Sequence, residues 1–515
     1  MKKLIKQFSV FVAIIATIFT LTPVKAEVTN PGVITIKSTT KDKQYDIFKI
    51  FDLTYRDITT GETTTKKVAY TIDSTWNNFF GSSATGSKYI LNDQPSGENL
   101  NMIIIGDDTK YINITESNVA EFAQDALAYV LSNTISPDKS VNGTGSDLVV
   151  DDLELGYYLV YPKGATTILS GNSSICSLTS TTPEATVNVK STYPEITKDV
   201  NDNFVEVGQV VTFEINGLVP NTKGYSSYTY KITDTMTSGL SFDLSGSEFT
   251  VKFGDTTISP SATELVQNGN GFILNFDMTN YQAYKGQEIT ITYNATVTKD
   301  AILNVTTNSA VLEYSNTPTS TITNDPIQEK LYSSRITIDK FESGNETLKL
   351  SGAKFVLVKT IDNVDYYYQA FSSLTSTEQM TEVSTTSDTV VKVDWTTDKN
   401  AATVLVTDTN GYAEFGGIEA GSYQLEETEA PTGYNKLTSR VDVVVSSTKE
   451  IEGEEETVIV DASVNAIAKV ANDSGTQLPE TGGLGTKILI ALGLIVALFA
   501  SVILVTNKRM AKEQF

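Results

Sequence analysis

An all-β chain of three Ig-like β-sandwich domains in series is what three features of the sequence predict. Thr, Val, Ile and Tyr alternate with polar residues, as in Val33-Ile34-Thr35-Ile36, Val210-Val211-Thr212-Phe213-Glu214-Ile215, Ile289-Thr290-Ile291-Thr292-Tyr293 and Val441-Asp442-Val443-Val444-Val445. That period of two belongs to strands with one face buried. Gly, Asn, Asp and Ser turns interrupt the runs every ~8–12 residues, the spacing of sandwich folds. Between the two apolar ends lie about 455 residues, room for three domains of the usual ~100–200 each.

The two ends stand outside this texture. Lys2, Lys3 and Lys6 precede an apolar run from Phe8 to Leu21, and Val24-Lys25-Ala26 offers small residues for cleavage. Residues 1–26 therefore read as a secretory signal peptide, to be excluded from the fold. At the other end an apolar run from Ile488 to Val505 is followed by Lys508, Arg509 and Lys512. As a helix it is long enough to cross a bilayer, and the basic tail would stay on the cytoplasmic side.

Composition narrows the chemistry. There is no His, and the single Cys176 cannot form an internal disulfide, so a His-based metal site or catalytic triad is excluded and no cofactor is expected. The formal net charge is −24, and both ends are basic, so the region between them is more acidic still. Such a surface argues against nucleic acid and anionic membrane as partners and favours solubility.

Boundaries fall at Ser191-Thr192-Tyr193-Pro194 and Asn324-Asp325-Pro326, giving domains of 27–190, 191–330 and 331–470 and a C-terminal segment of 471–515. One helix is expected in the first domain, from Asn118 to Asn133. There Val119, Phe122, Ala126, Leu127, Val130 and Leu131 share a face, and Asn118 with Glu121 has the form of a capping box.

Just before the C-terminal apolar run stands Leu478-Pro479-Glu480-Thr481-Gly482. Pentapeptide, span and basic tail in this order resemble the cell-wall sorting signal of Gram-positive surface proteins. That resemblance implies that a sortase cuts after Thr481 and holds its carbonyl as a thioester. Late in the first domain, Gly156-Tyr157-Tyr158-Leu159-Val160-Tyr161-Pro162-Lys163 reads as a strand ended by a Pro with a Lys at its exposed exit. Tyr-Pro-Lys resembles the pilin motif of sortase-assembled pili, which implies that the Lys163 amine attacks the Thr481 thioester of another copy.

The second domain carries Glu195-Ile196-Thr197-Lys198-Asp199-Val200, Tyr230-Lys231-Ile232-Thr233-Asp234-Thr235-Met236 and Thr307-Asn308-Ser309-Ala310-Val311. It resembles a collagen-adhesin A-type domain, whose isopeptide bond would here join Lys198 to Asn308 with Asp234 as the acid. The third carries Ile336-Thr337-Ile338-Asp339-Lys340 and the stretch Tyr423-Gln424-Leu425-Glu426-Glu427-Thr428-Glu429-Ala430-Pro431. The latter resembles the pilin E-box and implies a collagen-adhesin B-type domain with Glu427 as the acid, Lys340 as the amine and Asn465 as the amide. Lys37 and Asn188 of the first domain sit at first- and last-strand positions, but no acid accompanies them, and they read as strand residues.

The chemistry these residues offer depends on burial. A dry core lowers a Lys pKa and raises a carboxyl pKa. A neutral amine can then attack the Asn carbonyl while the protonated acid holds its oxygen and ammonia leaves. Such a reaction occurs once per molecule, so the chain is not expected to be an enzyme. The expected function is a backbone subunit of a covalent surface pilus, with further copies of itself, sortase, minor pilins and peptidoglycan as partners, and with a host receptor as a further one. The alternative is a monomeric wall-anchored adhesin or minor pilin, which would not need Lys163.

Overall fold

The computed structural model describes residues 31–60, 63–97, 100–105, 108–165, 174–189, 192–375, 377–452, 457–475 and 484–510. The signal peptide (1–26) and Leu478 to Gly482 lie outside the described residues. The described chain is built from strands arranged in successive pairs of sheets, each with its own apolar core.

In the first domain Gly32–Ile36 lies between Glu184–Val187, its parallel neighbour, and antiparallel Leu148–Leu153. A larger sheet is organised around Gln44–Thr60, which pairs with Thr63–Ile72 and with Gly156–Pro162. The helix runs Val119–Asn133 and buries Phe122, Ala126, Leu127 and Val130 against Trp76, Phe79 and Tyr89. Its expected capping box does not form. The Asn118 carbonyl oxygen Oδ1 accepts from the Thr115 amide at 2.7 Å instead, and Glu121 pairs with Lys88 at 2.5 Å. The pre-helical turn and a neighbouring lysine outcompete the local cap.

The second domain is a sandwich of two six-stranded sheets. One contains Thr197–Val200 at its edge, then Val210–Leu218 and Glu288–Val297; the other contains Gly271–Asp277, Thr229–Met236 and Thr306–Thr317. The first strand thus lies in one sheet and the strand bearing Asn308 in the other. Between the sheets sit Phe213, Ile232, Phe272, Tyr293 and Leu312, all essentially inaccessible to solvent.

The third domain arranges its ends differently. Ser334–Glu342 pairs antiparallel with Tyr412–Ile418 and parallel with Asn465–Asn472, so first and last strands are neighbours in one sheet. The facing sheet holds Lys354–Ile361, Val364–Phe371 and Gly421–Glu429. The last strand runs two residues past the boundary drawn at 470. At the C-terminus Leu484–Met510 form one helix. Among the described residues no helix is long and apolar enough to cross a membrane.

Candidate cross-linking centres and the acceptor lysine

In the second domain, alternation along three strands aims chemistry into the core. Lys198 is the only buried residue of Thr197–Val200. Asp234 shares the inward face of its strand with Tyr230, Ile232 and Met236, and Asn308 lies inward with Thr306 and Ala310. Met236 is the register partner of Asn308 and Ala310 that of Asp234, so acid and amide are diagonal neighbours on one face. Lys198 reaches them from the opposite sheet, its ammonium nitrogen 2.6 Å from Asp234 Oδ2.

A fourth group, which the sequence reading did not select, joins the three. The Tyr293 hydroxyl donates to Asp234 Oδ2 at 2.7 Å, accepts from Asn308 Nδ2 at 3.1 Å, and accepts from Lys198 Nζ. The signal was present: in Ile289-Thr290-Ile291-Thr292-Tyr293 the alternation turns Tyr293 inward with two isoleucines, and a buried phenol needs a polar partner. Burial pushes the Lys198 ammonium down, the Asp234 carboxyl up and the Tyr293 phenol well up, each disfavouring the charged form. Attraction between Lys198 and Asp234 opposes the first two shifts without cancelling them.

The third domain has a related centre with different parts. Lys340 is wholly buried on Ser334–Glu342, and Glu427 is buried on the facing sheet with Oε1 3.9 Å from Lys340 Nζ. Lys340 Nζ donates to the Val470 carbonyl at 3.2 Å, and burial pushes its pKa down to about 8. The strand is held close beside Gly411, whose φ of +69° and 2.2 Å spacing from its Cβ position to the Lys340 carbonyl leave no room for a side chain.

The amide at this centre is Asn472, not Asn465. Parallel pairing sets Lys340 opposite Val470 and Arg335 opposite Asn465, five residues away along the strand. Along Asn465–Asn472 the buried positions are 466, 468, 470 and 472, so Asn465 faces outward, where its Oδ1 accepts from Thr337. Asn472 is buried, and its Nδ2 donates to Glu427 Oε2 at 3.0 Å and to the Asn435 carbonyl at 2.6 Å. The Leu437 amide also donates to Glu427 Oε2, at 2.7 Å.

Both centres leave the same two kinds of atom unpartnered. Asp234 Oδ1 and Asn308 Oδ1 in one, and Glu427 Oε1 and Asn472 Oδ1 in the other, are buried acceptors with no donor. Leaving buried acceptors unpaired costs about 1–3 kcal/mol each. At Asp234, whose carboxyl burial pushes up, a proton would supply the missing donor, and that is the form in which a carboxyl can polarise an amide carbonyl.

Lys163 follows Gly156–Pro162 directly. It is half-buried rather than fully exposed: its amide donates to the Gln44 carbonyl at 2.8 Å, and its Nζ lies 3.4 Å from Gln44 Oε1. Gly164, with φ +81°, packs its Cβ position 2.3 Å from Asn316 Oδ1 of the second domain, and the Tyr161 hydroxyl accepts from the Gly164 amide and bonds Tyr225. The Tyr-Pro-Lys stretch therefore sits at the seam between the first two domains. Lys37 pairs with Asp147 at the surface, and Asn188 is exposed. Among the described residues, no group of three or more His, Cys, Asp or Glu could hold a metal ion.

Comparison with known families assigns three segments. Residues 207–318 match the family described as Gram-positive pilin backbone subunit 2, Cna-B-like domain. Residues 334–457 match the SpaA prealbumin-like fold domain, and 471–512 the LPXTG cell wall anchor motif. The second domain is thus Cna-B-like by family description where its motifs resemble the A type. The trypsin-resistant surface T6 protein of Streptococcus pyogenes is 26% identical over 253 residues, covering 47% of this chain and 42% of that protein. The chain's match thus spans about two fifths of that relative's length.

Among solved structures, the T6 backbone pilin of Streptococcus pyogenes has 15% identity and a TM-score of 0.49, covering 87% of this chain and all of that one. The group B streptococcus pilus 2b backbone protein has 22% identity and a TM-score of 0.41, covering 55% of this chain and 99% of its own. The major pilin SpaD of Corynebacterium diphtheriae has 16% identity and a TM-score of 0.42, covering 87% and 98%.

Proposed function

We propose that this chain, whose residues 207–318 match the Gram-positive pilin backbone subunit 2 domain, 334–457 the SpaA prealbumin-like fold domain and 471–512 the LPXTG cell wall anchor motif, is the repeating subunit of a covalent, cell-wall-anchored surface pilus. Sortase cleaves after Thr481, and the Lys163 amine of another copy takes the acyl group, so subunits join head to tail. A heterologous contact of this kind does not close and yields a fibre. In this reading the apolar run from Ile488 to Val505, long enough by sequence to cross a bilayer, keeps the precursor at the membrane until cleavage, and peptidoglycan receives the last subunit.

The observation that carries this reading is the repeated centre: in two successive domains a buried Lys near one chain end meets a buried Asn near the other across a buried acid. Lys198 Nζ attacks the side-chain carbonyl carbon of Asn308, and Lys340 Nζ that of Asn472; in each a new N–C amide bond forms, the C–Nδ2 bond of the Asn breaks and its nitrogen leaves as ammonia. A subunit under tension along its length gains most from such bonds, because load passes from first to last strand through covalent links. Blotting of cell-wall extract for the subunit tests the assembly. Wild type should give a high-mass ladder, and Lys163→Arg a single exported band, since Arg cannot act as the amine. A ladder that survives Lys163→Arg assigns the acceptor to another lysine and defeats the proposal.

A further inference from the structure

The second-domain centre holds one group with no counterpart among the described residues of the third. The Tyr293 hydroxyl bonds both nitrogens of the exchange, accepting from Lys198 Nζ and, at 3.1 Å, from Asn308 Nδ2, and it donates to Asp234 Oδ2 at 2.7 Å. In the third domain the leaving nitrogen of Asn472 rests on Glu427 itself and on a backbone carbonyl. Among the described residues no side-chain hydroxyl bridges it to Lys340.

We propose that Tyr293 is a catalytic residue of this centre, its hydroxyl passing a proton from the Lys198 amine to the departing amide nitrogen of Asn308. The inference rests on reading the centre as isopeptide-forming. Neutral Lys198 attacks the Asn308 carbonyl carbon, forming the N–C bond and pushing the carbonyl pair onto Oδ1, which protonated Asp234 holds. The entering nitrogen gives one proton to the Tyr293 oxygen, while the phenol gives its own to Nδ2. The C–Nδ2 bond then breaks, the carbonyl re-forms, and ammonia leaves with Tyr293 and Asp234 as they began. One amide replaces another, one amine proton ends on ammonia, and no outside reactant is needed. Burial keeps the phenol neutral and able to donate. The division of labour follows: Asp234 serves the carbonyl and Tyr293 the nitrogens, whereas Glu427 must serve both.

The test is a time course of the linked Lys198–Asn308 peptide, mapped by mass spectrometry after cell-free synthesis of the full chain. Tyr293→Phe keeps the ring and removes the hydroxyl. It should slow this link about 100-fold or more, the usual share of positioned proton transfer, while the Lys340–Asn472 link in the same molecules forms at the wild-type rate. Linkage as fast as wild type in Tyr293→Phe overturns the proposal. Placing 3-fluorotyrosine at 293 keeps the contacts with a more acidic phenol, and should change the rate of this link while the Lys340–Asn472 link keeps its wild-type rate. An unchanged rate also overturns the proposal, and this arm decides if Tyr293→Phe misfolds. A wild-type chain with no linked peptide at all refutes the isopeptide reading beneath it, a result distinct from either.

Discussion

The centres of the second and third domains solve one problem with opposite geometries. In the second, Lys198 comes from one sheet while Asp234 and Asn308 stand on neighbouring strands of the other, so the proposed bond would cross the sandwich and staple its two layers. In the third, Lys340 and Asn472 lie on adjacent parallel strands of one sheet, and Glu427 alone comes from across the core. There the proposed bond would lock two strands that tension pulls past one another in shear. What is constant is a buried Lys–acid–Asn set whose acid and amide each retain one unpartnered oxygen. What varies is which element supplies each part, and whether a phenol touches the set. The arrangement is set by burial and contact, and two strand arrangements satisfy it.

Removing one acid at a time sharpens the contrast. The largest effect is expected under force. Glu427→Ala should free the loop between Lys340 and Asn472, adding roughly 450 Å to the extension of a pulled subunit at ~3.4 Å per residue. Asp234→Ala should add a somewhat shorter step, and wild type neither. Single-molecule pulling reads the difference, and a wild-type trace with both steps breaks the mechanical account. Next comes stability. Each link closes a loop of more than a hundred residues, which loop-closure entropy values at up to about 5 kcal/mol. Each acid-to-Ala variant should therefore fold but melt lower, with protease sensitivity confined to its own domain.

A smaller effect concerns pH. Lys340, pushed down to about 8 by burial, reacts only as the neutral amine. Its folded pKa lies below the ordinary lysine value, so the neutral fraction rises with pH up to that point. Linkage of Lys340 to Asn472 should speed up about tenfold per unit as pH approaches 8 and level off above it. Stopped-time peptide mapping across pH 5 to 10 checks this at about one-unit steps. A rate that falls over the same range contradicts an amine nucleophile.

Much of this was legible in residues. The strand texture gave the sandwiches, and Lys198, Asp234, Asn308, Lys340 and Glu427 all face inward into their cores. Asn465 was misread for a definable reason. A third-domain boundary at 470 lies inside the last strand, so Asn472 falls into the C-terminal segment of 471–515. The alternation Ala466, Ala468, Val470, Asn472 already marks the buried face and puts Asn465 outside it, but choosing between two asparagines requires the parallel register. Tyr293 was visible as an inward strand residue, yet its partnership with three residues from three other strands is a product of tertiary packing. The capping box failed because the Asn118 side chain turns back to Thr115 and Asn113. No periodicity reports that choice.

The central claim is that two buried centres, and those asparagines, form bonds without help. Intact mass of the region from Glu27 to Gln477, made without sortase, tests it most directly. Wild type should weigh two ammonia molecules less than its sequence. Asn472→Ala should fall short of its own sequence mass by one, and Asn465→Ala by two. A wild-type mass equal to the plain sequence, or a lost link in Asn465→Ala with Asn472→Ala unaffected, would contradict the account.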